Sequence, residues 1–312
     1  MSGSPTSQES SAFDRDVVIV GGGPAGCTAG VFTARYDLDT VIFDRGRSSI
    51  QRCASLENFP GFPAGIDIET FYGLLHDHAT AAGCEIVSDL VESLEREDGG
   101  FAVETQDGRR VTARRVVAAT RYGGEYLRGL DDEAMFEAHE YDGGQQSRFD
   151  RRYADHDGTT PIEGLFVASP SREADRQAIV AAGRGARVAL SLVEAARRDR
   201  GYPEPLTDRY DWVRRESELG DEWSDRDRWR EHFDDRVPDD YDRSEDRLAE
   251  LREQEIDRRL ASYIPPDERE RRAERGQRRL IEHIDDEIVL EAAREIEAGR
   301  RSSVEIPIDY EW

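Results

Sequence analysis

The stretch RDVVIVGGGPAGCTAG, residues 15–30, decides the fold. Residues 17–20 are a fully apolar run between a charged residue and glycines, the pattern of a parallel strand buried on both faces. Gly21, Gly23 and Gly26 follow in the spacing Gly-x-Gly-x-x-Gly, and a helix is predicted over 24–35. Each glycine has a physical reason. The first permits a tight turn, the second lets the backbone approach a pyrophosphate, and the third lets helix and strand pack closely. The helix N-terminus adds unpaired N–H donors and a favourable dipole.

A second strand is predicted over 39–46 (DTVIFDRG), ending at Asp44, 18 positions after Gly26. A carboxylate there accepts hydrogen bonds from the ribose of an adenosine. Strand, glycine turn, helix, strand and acid together point to a dinucleotide, without choosing FAD over NAD.

The surroundings limit the answer. The chain has 312 residues, 37% hydrophobic and 36% charged, with a formal net charge of −25. All 43 basic residues are arginine. Clean apolar strands argue against disorder in the first two thirds. A strongly acidic surface whose self-repulsion is screened by abundant ions fits a cytoplasmic protein of a salt-loving microbe, and a halophilic archaeon is the expected source. The same charge argues against nucleic acid as a partner. Cys27, Cys53 and Cys84 form no C-x-x-C and no disulfide framework, as in a reducing cytoplasm. No apolar run is long enough for a transmembrane helix, so no membrane partner is expected. Residues 1–13 read as a loose polar tail rather than a signal peptide.

Further along, 47–65 is rich in turn formers, and 67–83 has helical spacing with Ile68, Phe71, Leu74 and Leu75 on one face. Short strands are predicted at 84–87, 90–96, 101–108 and 109–113, including a small antiparallel meander. Buried strands follow at 115–120 and 164–169. Residues 121–160 are polar and glycine-rich with little periodicity, and a long helix is predicted within 172–201. From about 203 the chain becomes charged and helical. Leu248, Leu251, Ile256, Leu260 and Tyr263 form one apolar stripe, and Ile281, Ile284, Ile288, Ala292 and Ile296 a second. Such sparse stripes need a surface to pack on.

Three stretches choose among dinucleotides. Residues 21–46, 57–66 (ENFPGFPAGI) and GLFVAS (164–169) with RQAIVAAGRGA (176–186) together resemble the FAD domain of the thioredoxin reductase family, over about 14–200. The resemblance implies an α/β, Rossmann-like FAD-binding domain of three layers (ββα) with a small antiparallel meander, over 14–202. Residues 203–312 would then be an α-helical C-terminal extension. It also implies FAD as cofactor, with Gly21, Gly23, Pro24, Ala25, Gly26, Asp44 and Arg45 at the adenosine end. Asn58, Thr120, Ser169, Arg176, Gln177 and Ala178 would lie toward the flavin. A helix N-terminus near Arg176 and Gln177 would stabilise negative charge on a reduced flavin.

The pattern also breaks. The family inserts an NADPH domain, with its own glycine fingerprint and the redox C-x-x-C, between the halves of the FAD domain. Here only about 40 residues separate the two strands, where such a domain needs on the order of 100. The family's Ala-Thr-Gly is Ala119, Thr120 and Arg121 here, and its Gly-Asp is Ser169 and Pro170. That aspartate holds the ribityl chain, so its loss should weaken FAD binding, with Ser169, Ser171 or Asp175 as substitutes. Cys53, five residues before Asn58 and next to Arg52, is the candidate catalytic thiol; Cys27 and Cys84 read as core. His76 and His78 are two apart on their helix, and no metal site is expected.

The leading expectation is a single-domain FAD oxidoreductase fed by free NAD(P)H or by a partner redox protein, homo-oligomeric through its C-terminal helices. A degenerate flavin or nucleotide-binding module without turnover, sensing redox state or binding a partner, is the alternative. A third is an FAD-dependent RNA-modifying enzyme, against which the acidity counts.

Overall fold

The computed structural model describes residues 13–299 apart from 47, 142–143, 173–175 and 209–210; the side chains of 132–133, 139–141 and 144–146 also fall outside the description. The loop residues Ser171 and Arg172 precede one of those gaps, so Asp175 lies outside the described residues. The opening strand, Arg15–Val20, runs into the glycine turn, and the helix Pro24–Arg35 begins with proline in its first turn, where no N–H is missed. Thr40–Phe43 and Glu85–Val87 pair in parallel on one side of the opening strand, and Arg110–Ala119 on the other. The sheet order is Glu85–Val87, Thr40–Phe43, Arg15–Val20, Arg110–Ala119, Gly100–Thr105, Val91–Glu97.

The two strands predicted at 109–113 and 115–120 are one strand, Arg110–Ala119. Along one edge it follows the opening strand, from Arg15↔Ala113 to Val20↔Ala118. Along the other it forks. Its first half pairs antiparallel with Gly100–Thr105 (Phe101↔Ala113), and its second half pairs in parallel with Leu165–Ser169 (Leu165↔Val116). The two arginines that suggest a break have separate fates: Arg114 is exposed, whereas Arg115 is buried and ion-paired with Asp199.

Strand alternation produces two cores. Val17, Ile19, Val117 and Phe166 face the helices Pro24–Arg35 and Ala178–Asp199, with Ala29, Val188 and Leu192. Val18, Val20, Val116 and Leu165 face the other way, against Leu94, Phe101 and Val103 of the meander. Residues 121–160, read as irregular, contain a short helix Arg128–Met135 and an antiparallel hairpin, Phe136–Tyr141 with Gly144–Phe149. Tyr126, Leu127, Met135 and Phe149 from this segment are buried in the second core. The arrangement is the expected three-layer α/β fold.

The long helix is Ala178–Asp199, with Gln177 at its N-cap position. It approaches the opening helix closely: a β-carbon on Gly185 would lie 2.1 Å from the Ala25 carbonyl oxygen. The chain divides into two compact units, residues 1–263 and 264–312. In the first, the helices Arg226–Asp234 and Glu245–Ala261 form a small core with Leu206, Phe233 and Leu251. Arg197 of the long helix meets Glu255 there at 3.1 Å, both side chains buried. Of the first apolar stripe Leu251 and Ile256 are buried, and Leu248, Leu260 and Tyr263 half-buried. The second unit holds the helices Pro266–Ile281 and Asp286–Glu297, with no buried side chain among its described residues. The second stripe is therefore not one helix face. Asp285 caps the second helix by accepting from the Glu287 N–H at 2.8 Å, and the stripe crosses that turn.

Candidate functional site

The glycine turn is built against the central strand. Gly21 has φ +115°, a conformation that a side chain resists, and its N–H donates to the Phe43 carbonyl at 2.8 Å. A β-carbon there would lie 2.5 Å from the Ala119 carbonyl oxygen. At Gly26 it would lie 1.8 Å from the Gly21 carbonyl oxygen, so helix and turn touch backbone to backbone. At Gly23 it would meet the Ser48 hydroxyl at 3.0 Å. The turn is thus a cradle with no room for side chains, followed by a helix whose first-turn N–H groups lack intrahelical partners.

Asp44 stands immediately after its strand and is buried. Its carboxylate accepts from the Tyr72 hydroxyl at 2.5 Å and from the Gly46 N–H at 3.1 Å, and lies 3.3 Å from His76 Nε2. His76 Nε2 also lies 3.0 Å from the Gly22 carbonyl oxygen. Tyr72 and His76 sit one turn apart on the helix Ile68–Ala82, so they share a face, with their rings 4.4 Å apart. Burial alone would raise the Asp44 pKa, but the hydrogen bonds from His76, Tyr72 and Gly46 outweigh it and hold the carboxyl below its ordinary value. The hydrogen bond to Asp44 raises His76, against its partial burial. Burial, then the hydrogen bond to Asp44, pushes the Tyr72 phenol up. A Tyr–Asp–His cluster therefore ties the acid to the glycine turn.

At the other end, Asn58 Nδ2 donates to Gln177 Oε1 at 2.8 Å, linking the ENFPGF loop to the residue that immediately precedes the long helix. Cys53 follows the short turn Ser49–Arg52 and is exposed. The other cysteines behave as core residues. Burial raises both, Cys84 to about 12, and Cys27 Sγ lies 3.1 Å from the Gly22 carbonyl oxygen. No cluster of metal-binding side chains occurs among the described residues.

One cleft of about 1280 Å³ joins these parts. It is larger than the roughly 300–1,000 Å³ of ordinary small-molecule sites, as an extended dinucleotide requires. Gly21, Gly23, Pro24, Ala25, Asp44, Arg45, Asn58, Thr120, Ser169, Arg176, Gln177 and Ala178 all line it, as does Cys53. Gly26 does not line the cleft; it sits behind, against Gly21. Ser171 is buried outside the lining. Sequence reasoning missed Tyr72, although its spacing from His76 was visible, and it missed Tyr126. The Tyr126 hydroxyl, buried in the cleft wall, has no hydrogen-bond partner among the described residues.

Comparison with known proteins places this architecture. Residues 15–136 match the family model "Pyridine nucleotide-disulphide oxidoreductase". Over these residues, about two fifths of the chain, the sequence is similar to that family. The chain is 34% identical over 124 residues to "NADPH-dependent thioredoxin reductase 3" of Arabidopsis thaliana, covering 38% of this chain and 23% of that protein. It is 31% identical over 115 residues to "Bifunctional thioredoxin reductase/thioredoxin" of Mycobacterium leprae (strain TN), covering 36% and 25%. The matched segment thus spans about a quarter of the length of these curated relatives. Among solved structures, a thioredoxin reductase from Gloeobacter violaceus aligns with 60% of this chain and 96% of its own, at 21% identity and a TM-score of 0.47.

FAD is the cofactor that this similarity implies. The residues present fit it. The side-chain-free cradle suits a pyrophosphate, the buried carboxylate suits a ribose, and the volume of the cleft leaves room for a second ring system. No helix among the described residues is long and apolar enough to cross a membrane.

Proposed function

We propose that this chain is a single-domain FAD-dependent oxidoreductase, with residues 14–202 as its redox domain. The observation that carries the reading is the continuous cleft, lined by the motifs of both halves of the domain. FAD, when bound, supplies hydride and electron transfer; the protein binds, orients and tunes it. Gly21, Gly23, Pro24 and Ala25 would receive the pyrophosphate, and Asp44 and Arg45 the adenosine ribose. Asn58, Thr120, Ser169, Arg176, Gln177 and Ala178 would flank the flavin. The N-terminus of the helix Ala178–Asp199 presents N–H donors to the cleft end, where they favour negative charge on a reduced ring.

The electron donor is free NAD(P)H or a partner redox protein reaching the open flavin end. Turnover does not follow the thioredoxin reductase route. Residues 121–164 fold as a short helix and hairpin where that route needs a second nucleotide-binding domain, and the sequence has no C-x-x-C. Cys53, exposed in the cleft lining, is the candidate thiol. Replacing it with serine should abolish any thiol-dependent turnover; full retention removes it from the mechanism. The exposed apolar residues of the second unit suit self-association, which sedimentation of the full chain tests.

The deciding experiment is purification in high salt, a visible spectrum, and identification of the cofactor released on denaturation. Near-stoichiometric FAD that NADPH or NADH reduces anaerobically supports the reading. Colourless protein that takes up no added FAD overturns it. A second reading, a flavin-domain relic that binds nucleotide without turnover, is favoured by Ser169 and Pro170 standing where the resemblance expects Gly-Asp, and by Arg121 where it expects glycine. Bound FAD that neither nicotinamide nucleotide nor a redox partner reduces selects it.

A further inference from the structure

Arg121 combines a costly backbone with a charged side chain inside the cleft. Its φ is +55°, in the left-handed region that glycine enters freely and a β-carbon resists; Asp37 is the other described non-glycine residue there. Strain of this kind persists where surrounding structure or function holds it. The position lies beside the glycine turn, because a β-carbon on Gly21 would be 2.5 Å from the Ala119 carbonyl oxygen and 3.4 Å from the Thr120 nitrogen.

The side chain runs along the cleft wall. Arg121 NH1 donates to the Ser49 hydroxyl at 2.8 Å, and the guanidinium lies 4.9 Å from the centre of the Tyr122 ring. Ser48, next to that hydroxyl, is the residue that faces Gly23. Arg121 thus reaches from the end of the central strand to the loop opposite the phosphate turn. The other cleft arginines, Arg45, Arg52 and Arg176, are exposed, whereas Arg121 is half-buried in the wall.

We propose that Arg121 is a pyrophosphate-binding residue, a cationic arm that supplements the uncharged donors of the glycine turn. This rests on the cleft holding a dinucleotide. A guanidinium presents a planar fork of donors that matches phosphate oxygens. In a chain of net charge −25, a fixed cation inside the cleft offsets the repulsion that a doubly charged ligand meets. Such a contact also strengthens the grip on FAD at a site where Ser169 and Pro170 supply no carboxylate toward the ribityl chain.

The test titrates FAD and ADP into apoprotein of the wild type, Arg121→Gly and Arg121→Lys, following intrinsic fluorescence, with thermal melts of each apoprotein. Glycine removes the charge and relieves the backbone. The expected result is a loss of about 10–100-fold in affinity for both FAD and ADP in Arg121→Gly, as removal of a charge-assisted contact gives. The lysine variant should be intermediate, and the glycine variant should melt no lower than wild type. Unchanged FAD affinity overturns the proposal. So does a loss for FAD with none for ADP, which moves Arg121 to the flavin end. Wild type that binds ADP but not FAD overturns the flavin reading while the ADP arm still tests Arg121; wild type that binds neither overturns both.

Discussion

The two ends of the cleft are built differently. At the glycine-turn end Asp44 is buried with its oxygens engaged by Tyr72, His76 and Gly46, and Gly21 and Gly26 admit no added atom. At the far end Cys53, Asn58, Arg176 and Gln177 are exposed or half-buried, and Tyr122, Ile179 and Val180 are 54%, 40% and 44% exposed. Rigid, fully partnered groups suit permanent recognition of one ligand. An open rim with exposed apolar side chains suits access by something that arrives and leaves. On the proposed reading, the difference separates holding a cofactor from using it.

Substitutions can break that contrast, the largest effect first. Gly26→Ala places a carbon 1.8 Å from a backbone oxygen that cannot give way. It should cost at least the ~1–3 kcal/mol of core overpacking, with loss of bound flavin, read by denaturant midpoint and flavin content. Asp44→Ala leaves the buried Tyr72 hydroxyl without its acceptor, a cost of about 1–3 kcal/mol. It should also weaken FAD at least tenfold in a fluorescence titration; unchanged affinity would remove Asp44 from the ribose site.

Acidity supplies the next test. His76 is raised from 6.5, so its contribution to stability is complete below that value and is lost as pH rises through the raised one. Asp44 is lowered from 3.8, so its contribution is present above that value and is lost as pH falls through the lowered one. The pair therefore contributes most between pH 3.8 and 6.5. Melting temperatures of wild type should fall more than those of His76→Asn from pH 6 toward 9; parallel curves would show that the cluster does not couple to folding. Asn58→Ala, at the open end, should change stability by only ~0.5–1 kcal/mol. A larger loss would mean that the far end is as fixed as the near one.

What the sequence disclosed follows the same division. The glycine turn and Asp44 are local signals, separated by one helix, and strand, turn and acid can be read in order. The Tyr72–Asp44–His76 cluster joins residues far apart in sequence, and the sequence reading compared His76 only with His78, not with Tyr72 one turn before it. The short helix and hairpin of 121–160 were hidden because the buried residues Tyr126, Leu127, Met135 and Phe149 follow neither helical nor strand spacing. The continuous strand Arg110–Ala119 was hidden by two adjacent arginines, one of which is buried through its pairing with Asp199. In the last unit the apolar repeat ran across a helix cap at Asp285, which periodicity alone does not register.

The fork of the central strand has a further consequence. Where it ends, the Thr120 N–H donates to the Ser169 carbonyl at 3.0 Å, so the two ends of residues 121–168 are fastened together by the sheet itself. Closing a longer excursion between fastened ends costs only about 0.6 kcal/mol per doubling of its length. That seam tolerates the gain or removal of a whole folded module, because either event leaves the strands on both sides bonded to each other. A hairpin here and the complete domain that the family resemblance expects at this place would then be two fillings of one socket.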